Sequence, residues 1–247
     1  MEFKVKLLQT REEAKDTKTL VFERPDGFSY IAGQYIYLTL PHLSSPDLRG
    51  DTRQFTLSSS PTEKNLQITV RIRSTSPYKQ TLGAMKTGDT LEMHGPNGEF
   101  VLDDRAATPE VAPQIFIAGG IGVTPFRSII KYVTDTGSTI PIHLVCSNSI
   151  PEEIVFKKEL AGIVHSAQNI RVTFTVTKPE ESRVNWKGLV GRIDEKFLSG
   201  FLKSNLYPLT SVFWLCGPPP MVSAMEELLE KLGVKEENIR VEKFTGY

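Results

Sequence analysis

The sequence predicts two domains of unlike fold: an antiparallel β-barrel followed by an α/β domain built on a parallel sheet. Three observations predict this. Over residues 1–104, short runs of alternating apolar and polar residues recur between turn signals, as in a small antiparallel barrel or sandwich. From residue 113 to 247, short apolar runs alternate with stretches at helical spacing, the pattern of a parallel sheet covered on both faces. Between them, Arg105-Ala106-Ala107-Thr108-Pro109-Glu110 has no periodicity, so 105–112 is assigned as a linker.

In the first half the expected strands are Phe3–Leu7, Thr19–Phe22, Tyr35–Leu38, Phe55–Leu57 and Leu66–Ile72. Pro25-Asp26-Gly27, Thr87-Gly88-Asp89 and Gly95-Pro96-Asn97-Gly98 supply turns, and a short helix is expected near Tyr78–Met85. In the second half Ile115–Ala118 is a strand, and Phe126, Ile129, Ile130 and Val133 mark a helix. Ile140–Cys146 is the next strand. Ser149-Ile150-Pro151-Glu152 then reads as a capping box opening a helix toward Leu160. Val172, Phe174 and Val176 alternate as a strand, Asp194–Leu202 forms a helix, and Val212–Leu215 a strand. Met221, Met225, Leu228, Leu229 and Leu232 mark the last helix, and Ile239–Val241 the last strand.

Bulk properties exclude several function classes. The 29 basic and 29 acidic residues cancel, which gives no global attraction to nucleic acid or anionic membranes. No apolar run approaches the roughly 20 residues that span a bilayer. The N-terminus alternates polar with apolar residues rather than forming a signal-peptide core, so membrane insertion is not expected and a cytoplasmic location is. The two cysteines, Cys146 and Cys216, form no CxxC, which excludes an all-cysteine iron–sulfur cluster or a Cys-rich zinc site within the chain. His42, His94, His143 and His165 are scattered, and no metal site is expected.

Ligands of an open parallel sheet sit beyond the carboxyl ends of its strands. The first such end is Ala118-Gly119-Gly120-Ile121-Gly122-Val123-Thr124-Pro125. Glycines permit close backbone approach to a pyrophosphate, and the helix starting near Pro125 aims amides and a positive dipole end at it. Tight strand–helix turns without ligands share this composition. The fourth strand ends in Cys216-Gly217-Pro218-Pro219-Pro220-Met221, which puts a small thiol on the same edge. A free cysteine is more often a buried apolar residue, but two such segments on one ligand-binding edge favour a nucleotide.

Four motifs carry a family resemblance. GGIGVTPFRS at 119–128 and CGPPPM at 216–221 resemble the nucleotide-binding half of the ferredoxin–NADP reductase family. Arg53-Gln54-Phe55-Thr56-Leu57-Ser58 resembles its flavin motif, and Gly95-Pro96-Asn97-Gly98-Glu99-Phe100 the G-P-x-G-x-F near the end of its flavin barrel. All four stand in family order and spacing and span nearly the whole chain.

The resemblance implies a flavin-binding barrel over 1–104 and an NAD(P)-binding domain over 113–247, with FAD as cofactor and NADH or NADPH as electron donor. It implies that Arg53 pairs with the flavin pyrophosphate, where a planar guanidinium can bond two oxygens. Phe55 would pack on the flavin where the family more often has tyrosine, and Thr56 would bond near flavin N5. Gln54 and Leu57 belong to the same motif. Val70, Arg71 and Ile72 would flank the flavin, and the amides of Tyr78, Lys79, Gln80 and Thr81 would bind the second phosphate. On the nucleotide side, Gly119, Gly120, Gly122, Thr124, Pro125, Ser147, Gly217, Pro218 and Met221 would form the binding edge. Cys216 would lie near the nicotinamide C4. In the tail, Glu242 would be the acid beside the flavin, and Phe244, or Tyr247 in its place, the aromatic covering the ring. Thr56, Cys216 and Glu242 are the expected catalytic residues.

The expected function is therefore hydride transfer from NAD(P)H to bound FAD, then electron transfer to a separate acceptor: a ferredoxin, a flavodoxin, an oxygenase component or a small molecule. A free-flavin reductase and an electron-transfer or redox-sensing subunit of a larger complex are the alternatives. Members selective for the nucleotide 2′-phosphate often carry Ser-Arg after the second strand. Here Ser147-Asn148 stands there, and donor preference stays open.

Overall fold

In the computed structural model, which describes residues 1–72, 75–102, 112–203 and 208–244, both expected sheets are present. The assigned linker lies almost wholly outside the described residues, as does Tyr247.

The first sheet contains six antiparallel strands: β1 (Glu2–Ala14), β2 (Thr17–Phe22), β3 (Tyr35–Thr39), β4 (Thr52–Thr56), β5 (Leu66–Arg71) and β6 (Thr90–Asn97), in the order β4-β3-β6-β1-β2-β5. An isolated bridge between Leu57 and Ile68 joins the two edges and closes the barrel. β1 is long and carries two register shifts, bending so that its ends pair with both β6 and β2. Alternation puts Val5, Leu7, Leu20, Ile36, Leu38, Ile68, Leu91 and Met93 inside. The helix α1 (Pro77–Ala84) plugs one end with Tyr78, whose hydroxyl donates to the Leu38 carbonyl at 2.8 Å. β6 was not among the expected strands: only its flanking turns are prominent in sequence, yet Leu91 and Met93 make it a central one.

The second sheet is wholly parallel: β7 (Gln114–Gly119), β8 (Ile142–Asn148), β9 (Ile170–Val176), β10 (Leu189–Val190), β11 (Val212–Gly217) and β12 (Ile239–Lys243), ordered β10-β9-β8-β7-β11-β12. α2 (Val123–Asp135) and α3 (Lys157–Ser166) cover one face, and α4 (Glu195–Lys203) and α5 (Pro219–Lys231) the other. The order reverses at β7, and the crevice between β7 and β11 is the expected ligand position.

Two expected helix starts shift. Pro125 is the third residue of α2, which follows a single 3₁₀ turn over Gly120–Gly122; its missing N–H still has no intrahelical acceptor to lose. The capping box at Ser149 opens only one 3₁₀ turn, Pro151–Glu153, and α3 starts seven residues past Ile150. Burial explains the break: Ile154, Val155 and Phe156 all enter the core, and Phe156 takes φ +58° to do so. Glu152 instead accepts from the Ser182 hydroxyl and the Arg183 amide, both at 2.8 Å.

The halves share packing. Ala32 and Phe100 of the barrel half join the core under α2, where the Phe100 ring meets Trp214 edge-on at 5.0 Å and Phe126 at 5.7 Å. Trp214 donates its indole N–H to Gln114 at 2.8 Å.

Candidate active site

A cavity of about 610 Å³ opens at the junction of the halves, within the size range of cofactor sites. From the barrel, Arg53, Gln54, Phe55 and Thr56 of β4 and Thr69, Val70 and Arg71 of β5 line it, with Ser76, Pro77 and Lys79 at the start of α1. From the second half come Ile121 and Thr124 of the glycine turn and Lys243 and Phe244 of the tail. Flanking β4 and β5 meet here because the Leu57–Ile68 bridge draws together the two ends of the sheet.

Charge is concentrated on the barrel side. The Arg53 guanidinium spreads Nη1 over the carbonyls of Arg49, Gly50 and Thr52 at 2.6, 2.9 and 2.8 Å, lies 5.1 Å over the Tyr78 ring, and donates Nη2 to Asp47 at 2.7 Å. Asp47 also accepts from the amides of Arg49 and Tyr78. The Arg49 amide, with that of Tyr78 and the Arg53 charge, holds the Asp47 carboxyl below its ordinary range. Arg71 reaches across the junction to Glu153 at 2.9 Å.

The far wall depends on a close backbone contact. A Cβ on Gly122 would lie 2.3 Å from the Cys216 carbonyl oxygen, and one on Gly119 would lie 2.9 Å from the Met221 sulfur. These two glycines therefore let the turn after β7 nest against the turn after β11. Gly120 alone of the three takes a left-handed φ, +53°, with open space beyond its Cα.

Comparison with known proteins agrees with this arrangement. Residues 4–102 match the family model described as an oxidoreductase FAD-binding domain, and residues 116–227 that of an oxidoreductase NAD-binding domain. NADH-cytochrome b5 reductase 1 from Aspergillus oryzae is 31% identical over 81% of this chain and 68% of its own length. Ferredoxin–NADP reductase B from Sorangium cellulosum is 27% identical over 98% of this chain and 97% of its own. The chain belongs to the ferredoxin–NADP reductase family. The crystal structure of a ferredoxin NADP+ reductase from Neisseria gonorrhoeae with bound FAD and NADP shares its fold, at TM-score 0.80 and 21% identity, over 98% of each chain. Other relatives are longer, and the chain spans 63% and 64% of two of them. As in the ferredoxin–NADP reductase family, FAD and a nicotinamide nucleotide are the cofactors of the two domains.

Not every residue that the family motifs suggest lines the cavity. Arg53, Gln54, Phe55, Thr56, Val70, Arg71, Lys79, Thr124 and Phe244 do. Leu57 and Tyr78 are fully buried in the barrel core, Ile72 packs against it, and Gln80 and Thr81 face a separate recess beyond α1. The Tyr78 amide donates to Asp47 and the Lys79 amide to the Ser76 cap, each at 3.3 Å, so both already have acceptors. Pro125 is buried in α2, while Ser147 stands in register with Gly119; Gly217 ends β11, Pro218 caps α5 and Met221 lies in the first turn of α5.

Cys216 does reach the carboxyl edge, between Ala118 and Glu242 in neighbouring strands. Its side chain, however, has no exposed surface; burial pushes the thiol well above its ordinary pKa, and the Glu242 charge adds to this. The sulfur packs in the core under α2. Glu242, half-buried on β12, has its carboxyl raised by burial. Raised in the fold, that group binds its proton more tightly folded than unfolded, so it withdraws stability as pH climbs through its folded pKa. Glu242→Gln is expected to give a higher Tm than the parent near neutral pH and equal stability only below about pH 4, under the ordinary carboxyl pKa; equal Tm values throughout would contradict the shift.

Asp47 escaped sequence reading. Pro46-Asp47-Leu48-Arg49-Gly50 is legible as a turn, with the Asp47 side chain bonding the Arg49 amide at 2.9 Å, but nothing in it announces a return onto Arg53. Among the described residues there is no cluster of His, Cys, Asp or Glu suited to a metal, and no helix is long and apolar enough to cross a membrane.

Proposed function

We propose that the chain takes hydride from NADH or NADPH onto FAD held in the junction cavity and hands electrons to a separate redox protein or small-molecule acceptor. The observation that carries this is the convergence of the β4 motif, the glycine turn and the tail on one cavity. The residues present fit FAD. Two guanidinium groups and the Lys79 ammonium offer positive charge for a pyrophosphate, and Phe55, Val70 and Phe244 offer apolar surface for a ring system.

Bound FAD would supply the chemistry, accepting a hydride and releasing electrons singly or in pairs. The chain's own work is positioning. Arg53 and Arg71 would hold the phosphates, and Thr56 and Val70 would flank the ring. Thr124, its hydroxyl donating to the Ile121 carbonyl at 3.1 Å, faces them from the nucleotide side. Reacting atoms must approach to about 3–3.5 Å, so Phe244, which lines the cavity, would have to give way to the nicotinamide. Glu242 remains near the site as a carboxyl that holds its proton above the ordinary range.

The test is the absorption spectrum of the purified protein, followed by anaerobic addition of NADH and of NADPH. Visible flavin bands that bleach on addition are the expected result and name the donor; a colourless protein that binds nucleotide but no flavin would refute the reading.

A second reading, a reductase whose flavin dissociates between turnovers, draws support from Asp47. Its carboxylate occupies the Nη2 donor of Arg53 and repels any phosphate that approaches it. Under that reading Asp47→Asn should tighten flavin binding about tenfold, the worth of roughly one charge-assisted bond. Weaker binding, read by flavin fluorescence quenching, would instead make Asp47 a strut for Arg53.

A further inference from the structure

The helix that opens at the glycine turn is fastened to the barrel two to four residues from the cavity on both sides. Arg127 and Ser128 stand one turn beyond Thr124 in α2; Ser58 and Ser59 stand two and three residues beyond Thr56. Arg127 donates Nη1 to the Ser58 carbonyl at 2.9 Å and pairs with Glu63 through both terminal nitrogens. Nη2 also reaches Glu159 of α3 at 2.6 Å, and the guanidinium lies 5.7 Å over the Phe156 ring. Ser128 donates its hydroxyl to the Ser59 carbonyl at 2.5 Å.

The barrel side of this fastening is itself fixed. Glu63 accepts from the Ser60 amide at 2.6 Å and from Gln67 at 3.1 Å, and the Ser59 carbonyl also accepts from Tyr30 at 3.0 Å. Thr62 bonds Asp135 at the far end of the same helix. The Arg127 side chain is only 5% exposed. A buried ion cluster of this kind adds little net stability over apolar packing, because desolvation offsets most of the Coulomb attraction. It does admit very few geometries, since a shift of either half would leave a buried charge unpaired.

We propose that Arg127 is a positioning residue: with Glu63, Glu159 and Ser128 it fixes the separation of the Thr56 and Thr124 faces of the cavity, and so the approach of nicotinamide to flavin. This rests on the reductase reading above for its catalytic consequence, though not for its structural one. Among the described residues, no other hydrogen bond joins α2 to the segment just beyond β4 so close to the site on both sides. Arg71–Glu153 also crosses the junction, but through side chains 20% and 19% exposed, where solvent weakens the pair.

The test compares the parent with Arg127→Met/Glu63→Gln/Glu159→Gln, which removes the cluster without stranding a carboxylate, and with Ser128→Ala. Spin labels on Lys4→Cys in β1 and Lys196→Cys in α4 report the spacing of the halves; Cys146 and Cys216, both buried, leave the labels selective. The triple variant is expected to broaden the distance distribution about twofold with or without flavin. It should also slow flavin reduction at saturating nucleotide by about 30–100-fold, as misplacement by an ångström would. Nucleotide and flavin dissociation constants should stay within about twofold, and Arg127→Lys should restore part of the rate. Ser128→Ala, too small a change to unfold the protein, should slow reduction at least about threefold. An unchanged distance distribution, an undiminished rate, or a loss of rate matched by lost nucleotide affinity overturns the proposal. A parent protein that neither nucleotide reduces would overturn the reductase reading alone, since the distance measurement stands without it.

Discussion

Arg53→Met is expected to yield a protein that purifies without flavin and binds added FAD about 100-fold more weakly than the parent. Two charge-assisted hydrogen bonds from one guanidinium to a pyrophosphate are worth about 3 kcal/mol together, and about 1.4 kcal/mol is a factor of ten. The side chain has a second task that enlarges the effect. Through Nη1 it gathers the carbonyls of Arg49, Gly50 and Thr52, so its removal also frees the segment that carries Asp47. Arg53→Lys separates the two tasks: a single ammonium keeps the charge but cannot span three carbonyls and a phosphate. It should recover no more than about tenfold of the loss. Flavin retention in Arg53→Met equal to the parent's, measured by the absorbance ratio of flavin to protein, would remove Arg53 from the site.

Gly122→Ala carries the other large effect, and it acts on stability and nucleotide use together. The added methyl would stand 2.3 Å from the Cys216 carbonyl oxygen and 2.8 Å from the Gly217 Cα, both backbone atoms that cannot swing aside. Overpacking of this kind costs about 3 kcal/mol, and in a chain of this size that lowers Tm by roughly 6–12 °C. The two turns must part, and Thr124 moves with them. NAD(P)H-driven reduction is therefore expected to fall at least about tenfold while the barrel keeps its flavin. Gly120→Ala is the control: the residue has open space around it, so only the strain of φ +53° remains, about 1 kcal/mol. Equal melting temperatures for the parent and Gly122→Ala would show that the turns are not in contact.

The fold was legible where periodicity was strong. The alternation of β1, β3 and β5 and most of the strand–helix rhythm from Ile115 onward gave the observed elements, the two-residue edge strand β10 being missed. What failed has a common physical origin in tertiary demands on short segments. β6 reads as two turns with polar residues between them, because half of its residues face water and only Leu91 and Met93 mark its core side. The capping signal at Ser149 was real chemistry in local terms, but burying Ile154, Val155 and Phe156 together outweighed it. Within the site, the motifs locate the segments that line the cavity, but local sequence does not record side-chain direction: Tyr78 packs into the barrel core and Cys216 into the second core. Asp47, Glu63 and Glu159 act on arginines 6, 64 and 32 positions away, and no local pattern records such pairs.

Ala32 and Phe100 belong by sequence to the barrel half but by packing to the core beneath α2. The protein is consequently less modular than its two sheets suggest. A chimaera that exchanged the nucleotide half for that of another reductase would inherit a hydrophobic socket cut for a different pair of side chains, leaving Phe100 to meet a foreign surface. Successful recombination within this fold should thus conserve the Phe100–Phe126–Trp214 triad as one unit of inheritance, even though its members are spread across 115 positions of the chain.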